Sequence, residues 1–98
     1  MHVEIKGVHL DITDNMREEI DHKLHRLDFA KDMLIDMLFT ISRDHNYKVE
    51  VNINFRWGSA AHIKTEGFDV YEEIDSLFDK IVHKVTKEKE KIQDHSSR

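Results

Sequence analysis

Lys48-Val49-Glu50-Val51-Asn52-Ile53-Asn54-Phe55-Arg56 alternates without a break between polar and apolar side chains. Successive side chains of a strand point to opposite faces, so Val49, Val51, Ile53 and Phe55 share one face. The polar residues take the other, which is the pattern of a strand buried on one side only. Upstream, Met33 to Ser42 reads as a second strand: Ile35, Met37, Phe39 and Ile41 share a face opposite Asp36, Thr40 and Ser42. Asp44-His45-Asn46 makes the turn between the two. Downstream, Trp57-Gly58-Ser59 turns, and Ala61, Ile63 and Thr65 alternate with His62, Lys64 and Glu66 until Gly67 ends the strand.

The flanks of this three-strand block complete the layer. Val3 and Ile5 alternate with Glu4 and Lys6, Gly7 interrupts, and Val8, Leu10 and Ile12 resume one residue out of phase, as at a bulge or bend. Thr13 is a good helix N-cap, and Met16, Ile20, Leu24 and Leu27 then predict a first helix from about Asp14 to Asp28. Asp69 can cap a second helix whose apolar positions are Val70, Ile74, Leu77, Phe78, Ile81 and Val85, a face about 100° wide. Its polar continuation is expected to reach about Ile92 and to fray over Asp94-His95-Ser96-Ser97-Arg98. The predicted fold is α+β, in the order β-α-β-β-β-α. Each strand has one polar face, so both helices are expected on one side of a four-stranded sheet.

Composition narrows the function classes. Ninety-eight residues suit one domain, 1–98, because two cores would each be too small. Without cysteine there is no disulfide, thiolate metal site or cysteine nucleophile, which fits a reducing cytoplasm. No apolar run approaches the roughly 18 residues of a membrane span, and the early charges of Met1-His2-Val3-Glu4-Ile5-Lys6 do not read as a secretory signal. The net charge of −5 argues against a nucleic-acid partner, but it is unevenly spread. From residue 80 onward Lys80, Lys84, Lys87, Lys89, Lys91 and Arg98 face only Glu88, Glu90 and Asp94, a net +3. Residues 1–79 carry −8.

At about 100° per residue, Lys80, Lys84, Lys87 and Lys91 fall in one narrow stripe beside the apolar face of the second helix. Such a ladder can track phosphates, though a solvated helix face is the plainer alternative. On the first helix Lys23 and Arg26 lie on one flank of the core face, with Glu19 among them. Were the helices to pack side by side, these flanks would merge into one basic surface. Trp57 and Phe55 are candidates for stacking on bases, or simply for packing at a strand end. His22 and His25, three apart with Asp21 and Asp28 nearby, are the only hint of a metal-dependent enzyme; the helical zinc motif His-Glu-x-x-His is absent. No nucleophile elbow, phosphate loop or dinucleotide fingerprint occurs, and no catalytic residue, metal or cofactor is expected.

The run Glu66-Gly67-Phe68-Asp69-Val70-Tyr71-Glu72-Glu73-Ile74-Asp75, with Leu77, Asp79-Lys80-Ile81 and Thr86-Lys87-Glu88-Lys89-Glu90-Lys91, resembles the ribosome hibernation-promoting factors. So do Ile5-x-Gly7, Leu10-Asp11-Ile12-Thr13, Met16-Arg17-Glu18, Lys23-Leu24 and Arg26-Leu27. The resemblance covers about residues 1–95. It implies a β-α-β-β-β-α fold similar to double-stranded-RNA-binding domains, and a bacterial, cytoplasmic, non-enzymatic protein. It also implies binding of the small ribosomal subunit at the mRNA and A- and P-site tRNA cleft, silencing translation under stress or starvation. The positions matching the family's basic pattern are Arg17, Lys23, Arg26, Lys80, Lys87, Lys89 and Lys91. His83 stands where relatives often have Arg, and Lys84 is a further basic residue. Glu88, Glu90 and Asp94 interrupt the tail, which implies weaker or more salt-sensitive RNA binding. A short-type protein, monomeric when free, is expected, since charges on the outer strands discourage edge pairing. A general double-stranded-RNA-binding module is the alternative.

Overall fold

The computed structural model describes residues 1–96. The elements are β1 (His2–Val8), α1 (Asp14–Leu24), a 3-10 segment (His25–Met33), β2 (Leu34–Arg43), β3 (Tyr47–Phe55), β4 (Ala60–Gly67) and α2 (Val70–Ser96). The strands lie in chain order, β1-β2-β3-β4. The hairpins β2–β3 and β3–β4 are antiparallel, while β1 runs parallel to β2. That parallel pair follows from the crossover: α1 and the 3-10 segment return the chain so that β2 starts at the same end as β1. The expected α+β layout therefore holds, as a mixed sheet with both helices on its apolar face.

The core is continuous. Met37, Phe39, Ile41, Val49, Val51, Ile53 and Phe55 meet Met16, Ile20 and Leu27 from one side and Val70, Ile74, Leu77, Phe78, Ile81 and Val85 from the other. Phe39 and Phe78 stack with ring centroids 5.6 Å apart and join sheet to helix near the middle of both. Thr13 caps α1, its hydroxyl accepting from the Met16 N–H at 3.1 Å. Asp69 caps α2, accepting from the N–H of Tyr71 at 2.9 Å and of Glu72 at 3.4 Å. The opposite sheet face is polar, with Asn54 donating to Asp36 across β2 and β3 at 2.7 Å.

Four local expectations give way. Ile35 is not in the core face but 50% exposed, while Leu34 is 1% exposed. The register shifts between Leu34 and Asp36, so β2 carries one extra residue there, and a bulge turns Ile35 outward. Of the bulge or bend expected at Gly7 the chain makes the bend, and the strand does not resume: β1 pairs evenly through Val8, and His9 then takes a left-handed φ of 60° to turn the chain. A Cβ on Gly7 would strike the Leu10 carbonyl oxygen, so the turn needs glycine. Leu10 and Ile12 pack against the core from a loop, not from a strand.

The first helix is α-helical only to Leu24 and continues as the 3-10 segment, with Ala30 at φ −132°, ψ 18°. Leu24, Leu27, Ala30 and Met33 recur every third residue and all contact the core, which is the period of a 3-10 helix. α2 runs to Ser96, past the end expected near Ile92; the part of that expectation falling on Ser97 and Arg98 lies outside the described residues.

The bulge yields a direct contrast. Ile35→Ser should change stability by no more than about 0.5 kcal/mol in urea denaturation, whereas Met37→Ala should cost about 2–5 kcal/mol. A large loss at Ile35 would return it to the core and remove the bulge.

Candidate nucleic-acid interface

The rotation of α2 is set by its apolar face. Ile74, Leu77, Phe78, Ile81 and Val85 are fully buried, which leaves Lys80, Lys87 and Lys91 exposed along one flank with Lys84 half-buried among them. Glu88 shapes this stripe. It is 8% exposed, on the core side of the lysines, and pairs with Lys84 at 3.2 Å and Lys91 at 3.7 Å. In sequence Glu88 reads as an interruption of the basic tail. In the fold it is a tucked carboxylate that holds the ammonium groups of two lysines. Lys80 and Lys87 have no ion-pair partner among the described residues.

Lys89 lies on the other flank. Its ammonium donates to the Phe29 carbonyl at 3.4 Å and sits 5.5 Å from the Phe29 ring centroid. His83 is exposed on the outer side of α2, and Arg17 is exposed on the first turn of α1.

The helices do pack side by side, but their basic flanks do not merge. The flank of α2 that meets α1 carries Asp75 and Asp79. Lys23 pairs with Asp75 at 2.6 Å and with Glu19 at 3.6 Å, and Arg26 donates to Asp79 at 2.9 Å. The stripe lies on the far flank, where one turn holds Glu73 against Thr65 and Gly67 of β4. The two helices are therefore clasped by cross-helix ion pairs. The hydrogen bond to Asp75 raises the Lys23 ammonium above its ordinary value, and the same bond and charge, with Arg26 nearby, lower the Asp75 carboxyl.

The histidine pair separates. His25 pairs with Asp28 at 3.5 Å, while His22 lines a shallow cleft with Asn15, Glu18, Glu19 and Tyr71. Among the described residues no three His, Asp or Glu side chains are placed to hold one metal ion. No helix among them is long and apolar enough to cross a membrane.

A polar-faced mixed sheet with two helices on its other side and a lysine-edged second helix defines a class of small α+β proteins, and comparison gives the family. Residues 3–93 match the family described as Sigma 54 modulation protein / S30EA ribosomal protein, and the chain belongs to that family. It is similar to the ribosome hibernation promoting factor of Escherichia coli K12, at 29% identity over 97% of this chain and 100% of the relative. With the factor of the same name from Azotobacter vinelandii it shares 31% over 93% of this chain and 85% of the relative. A ribosomal subunit interface protein from Coxiella burnetii superposes with a TM-score of 0.84 at 27% identity, over 91% of this chain and 98% of that one. The N-terminal domain of Protein Y from Thermus thermophilus superposes at 0.78 with 26% identity, over 89% and 98%.

The clasp has a defined pH window. A carboxylate whose folded pKa is depressed stabilises the fold above its unfolded value and loses that contribution as pH falls through the folded one. A lysine with a raised pKa does so below its unfolded value and loses it as pH rises through the folded one. The Lys23–Asp75 pair thus holds between the ordinary values of 3.8 and 10.5 and for some way beyond each. In thermal melts, Asp75→Asn should be less stable than wild type at pH 7, and the two should converge in strong acid, below about pH 4. A gap that persists unchanged in acid would show that the pair contributes nothing.

Proposed function

We propose that the protein is a non-enzymatic ribosome hibernation factor of the cytoplasm. Its single domain binds the small ribosomal subunit in the mRNA and A- and P-site tRNA cleft and inhibits translation under stress or starvation. The observation carrying this reading is the lysine stripe of α2. Five buried apolar side chains fix its direction, and Lys80 and Lys87 are exposed and without an ion-pair partner among the described residues. The matched family, and relatives named for ribosome hibernation and for the subunit interface, supply the ribosome as the nucleic acid concerned. Inhibition is by occlusion: phosphate contacts position the domain, and its bulk excludes mRNA and tRNA. RNA backbone shape is read instead of base sequence over most of the contact.

Lys84 and Lys91 remain tied to Glu88 while they face outward, which keeps their ammonium groups together as a preset pair. Lys23 and Arg26 contribute to RNA binding only by exchanging or sharing Asp75 and Asp79, so the first contacts fall to α2.

Co-sedimentation with purified small subunits tests the reading, with a generic RNA duplex as competitor. Binding should survive the competitor; loss to it would favour a general double-stranded-RNA module. If about five phosphates are neutralised, the log–log dependence of affinity on salt should have a slope of roughly −3.5 to −4.5. Lys80→Gln with Lys87→Gln should make that slope shallower by roughly 1.4–1.8 and weaken binding, with circular dichroism unchanged. An unaltered slope would show that the stripe is only a solvated face. At micromolar concentration without ribosomes, sedimentation equilibrium should give the monomer mass of 11.7 kDa.

A further inference from the structure

The turn between β3 and β4 carries the only tryptophan of the chain, in the stretch Phe55-Arg56-Trp57-Gly58-Ser59. Backbone bonds hold it tightly: Phe55 N–H donates to the Ser59 carbonyl at 2.9 Å, and Gly58 N–H to the Phe55 carbonyl at 3.1 Å. Gly58 takes a φ of 89°, which frees the turn from the strain another residue would bring. The Trp57 ring lies on the Phe55 ring with centroids 5.2 Å apart and planes 17° from parallel. Phe55 is 1% exposed, so the lower ring is fixed in the core, yet Trp57 is 38% exposed. One face of the indole is thus supported by Phe55, while part of the residue stays open to solvent. A large aromatic left in this position is a ready-made stacking surface.

Its location matters as much as its geometry. Phe55 belongs to the helix-covered face of the sheet, so Trp57, stacked on it, lies on the helix side and not on the open polar face. The turn borders the 3-10 segment, because Arg56 N–H donates to the Met33 carbonyl at 3.0 Å. The same segment carries Phe29, on which Lys89 of α2 rests. The exposed indole and the Lys89 end of α2, linked through the 3-10 segment, therefore lie toward one end of the molecule. Cations alternating with an exposed, rigidly backed aromatic ring are the combination that binds unpaired nucleotides: phosphates go to the cations and a base to the ring. Phe29 does not compete for this role, since the Lys89 ammonium already rests on its ring.

We propose that Trp57 is a base-stacking residue that receives one unpaired nucleotide of the RNA held by the α2 lysines. The proposal rests on the RNA-binding reading above and adds to it a contact that is neither electrostatic nor carried by the helices. Single-stranded bases stack on aromatic side chains with little sequence preference, so Trp57 would favour an unpaired residue over a helical one without selecting its identity.

The test uses the full chain and purified small ribosomal subunits, with three variants at one position. Trp57→Ala should weaken co-sedimentation by about 5- to 150-fold, the range of one lost base stack. Trp57→Phe should retain most of the affinity, and Trp57→Leu, which covers Phe55 without a π-face, should behave like Ala. Melting curves of the Leu and Phe variants guard against a folding defect, as both keep the apolar cover. A second readout uses Trp57 fluorescence in the protein alone: a single-stranded oligoribonucleotide should quench it, and an abasic strand of equal length and charge should not. Full affinity in the Leu variant, or equal quenching by the abasic strand, would overturn the proposal. Wild-type co-sedimentation is measured first, so failure of the ribosome reading would be seen separately, as no binding by any form.

Discussion

The seating of α2 on the inner face of β3 and β4, with Phe78 stacked on Phe39, is the constraint on which the rest of the molecule depends. Each large apolar side chain taken from water there contributes about 1.5–3 kcal/mol. Turning the helix by one flank would expose several of them together. The rotation of α2 is therefore fixed, and with it the direction of every charged residue it carries. Lysines on one flank, aspartates on the other and Glu88 near the core line are consequences of that single packing decision. A helix of 27 residues with its last fully buried apolar side chain at Val85 also extends well past its main apolar contacts, carrying Lys87 and Lys91 outward.

The charge distribution follows from the same geometry. A chain of net charge −5 is an unpromising RNA ligand if its charges are averaged. They are not averaged in the fold. Asp75 and Asp79 are occupied by Lys23 and Arg26 in the seam between the helices, and Glu88 is drawn beneath Lys84 and Lys91. Ion pairs of this exposed kind add modest stability. Their larger effect is on placement: they hold Asp75 and Asp79 in the helix seam and Glu88 beside the core.

The elements whose patterns are local were legible in the sequence. Val49 to Phe55 alternates because one face alone is buried, and Thr13 and Asp69 cap because helix starts need an acceptor. The β2 bulge was not, since Leu34 and Ile35 are both apolar and either can lead the strand; the choice depends on pairing with Phe55. The 3-10 segment could have been found from the three-residue recurrence of Leu24, Leu27, Ala30 and Met33, which a search for helical spacing passes over. The lysine stripe was visible from periodicity. The failure of the two basic flanks to merge was not, because it depends on which side of α2 meets α1. Placing Asp75 and Asp79 opposite Lys23 and Arg26 is the signal that would have settled it: four charges that pair only if those flanks face each other. Glu88 looked like an interruption because a linear reading cannot tell a carboxylate beside the core from one in solvent.

On the proposed function, the helix side of this domain, led by the lysine flank of α2, faces the RNA of the small subunit, while the open sheet face does not. The chain has no cysteine, so single cysteines can be introduced without competition from native thiols. Iron chelates tethered at His83→Cys, on the outer side of α2, and at Asn52→Cys, on the open sheet face, would generate hydroxyl radicals within the bound complex. Strong ribosomal RNA cleavage from position 83, confined to the mRNA and tRNA cleft, with little or none from position 52, is the expected result. Cleavage from position 52 equal to or stronger than that from position 83 would contradict the account.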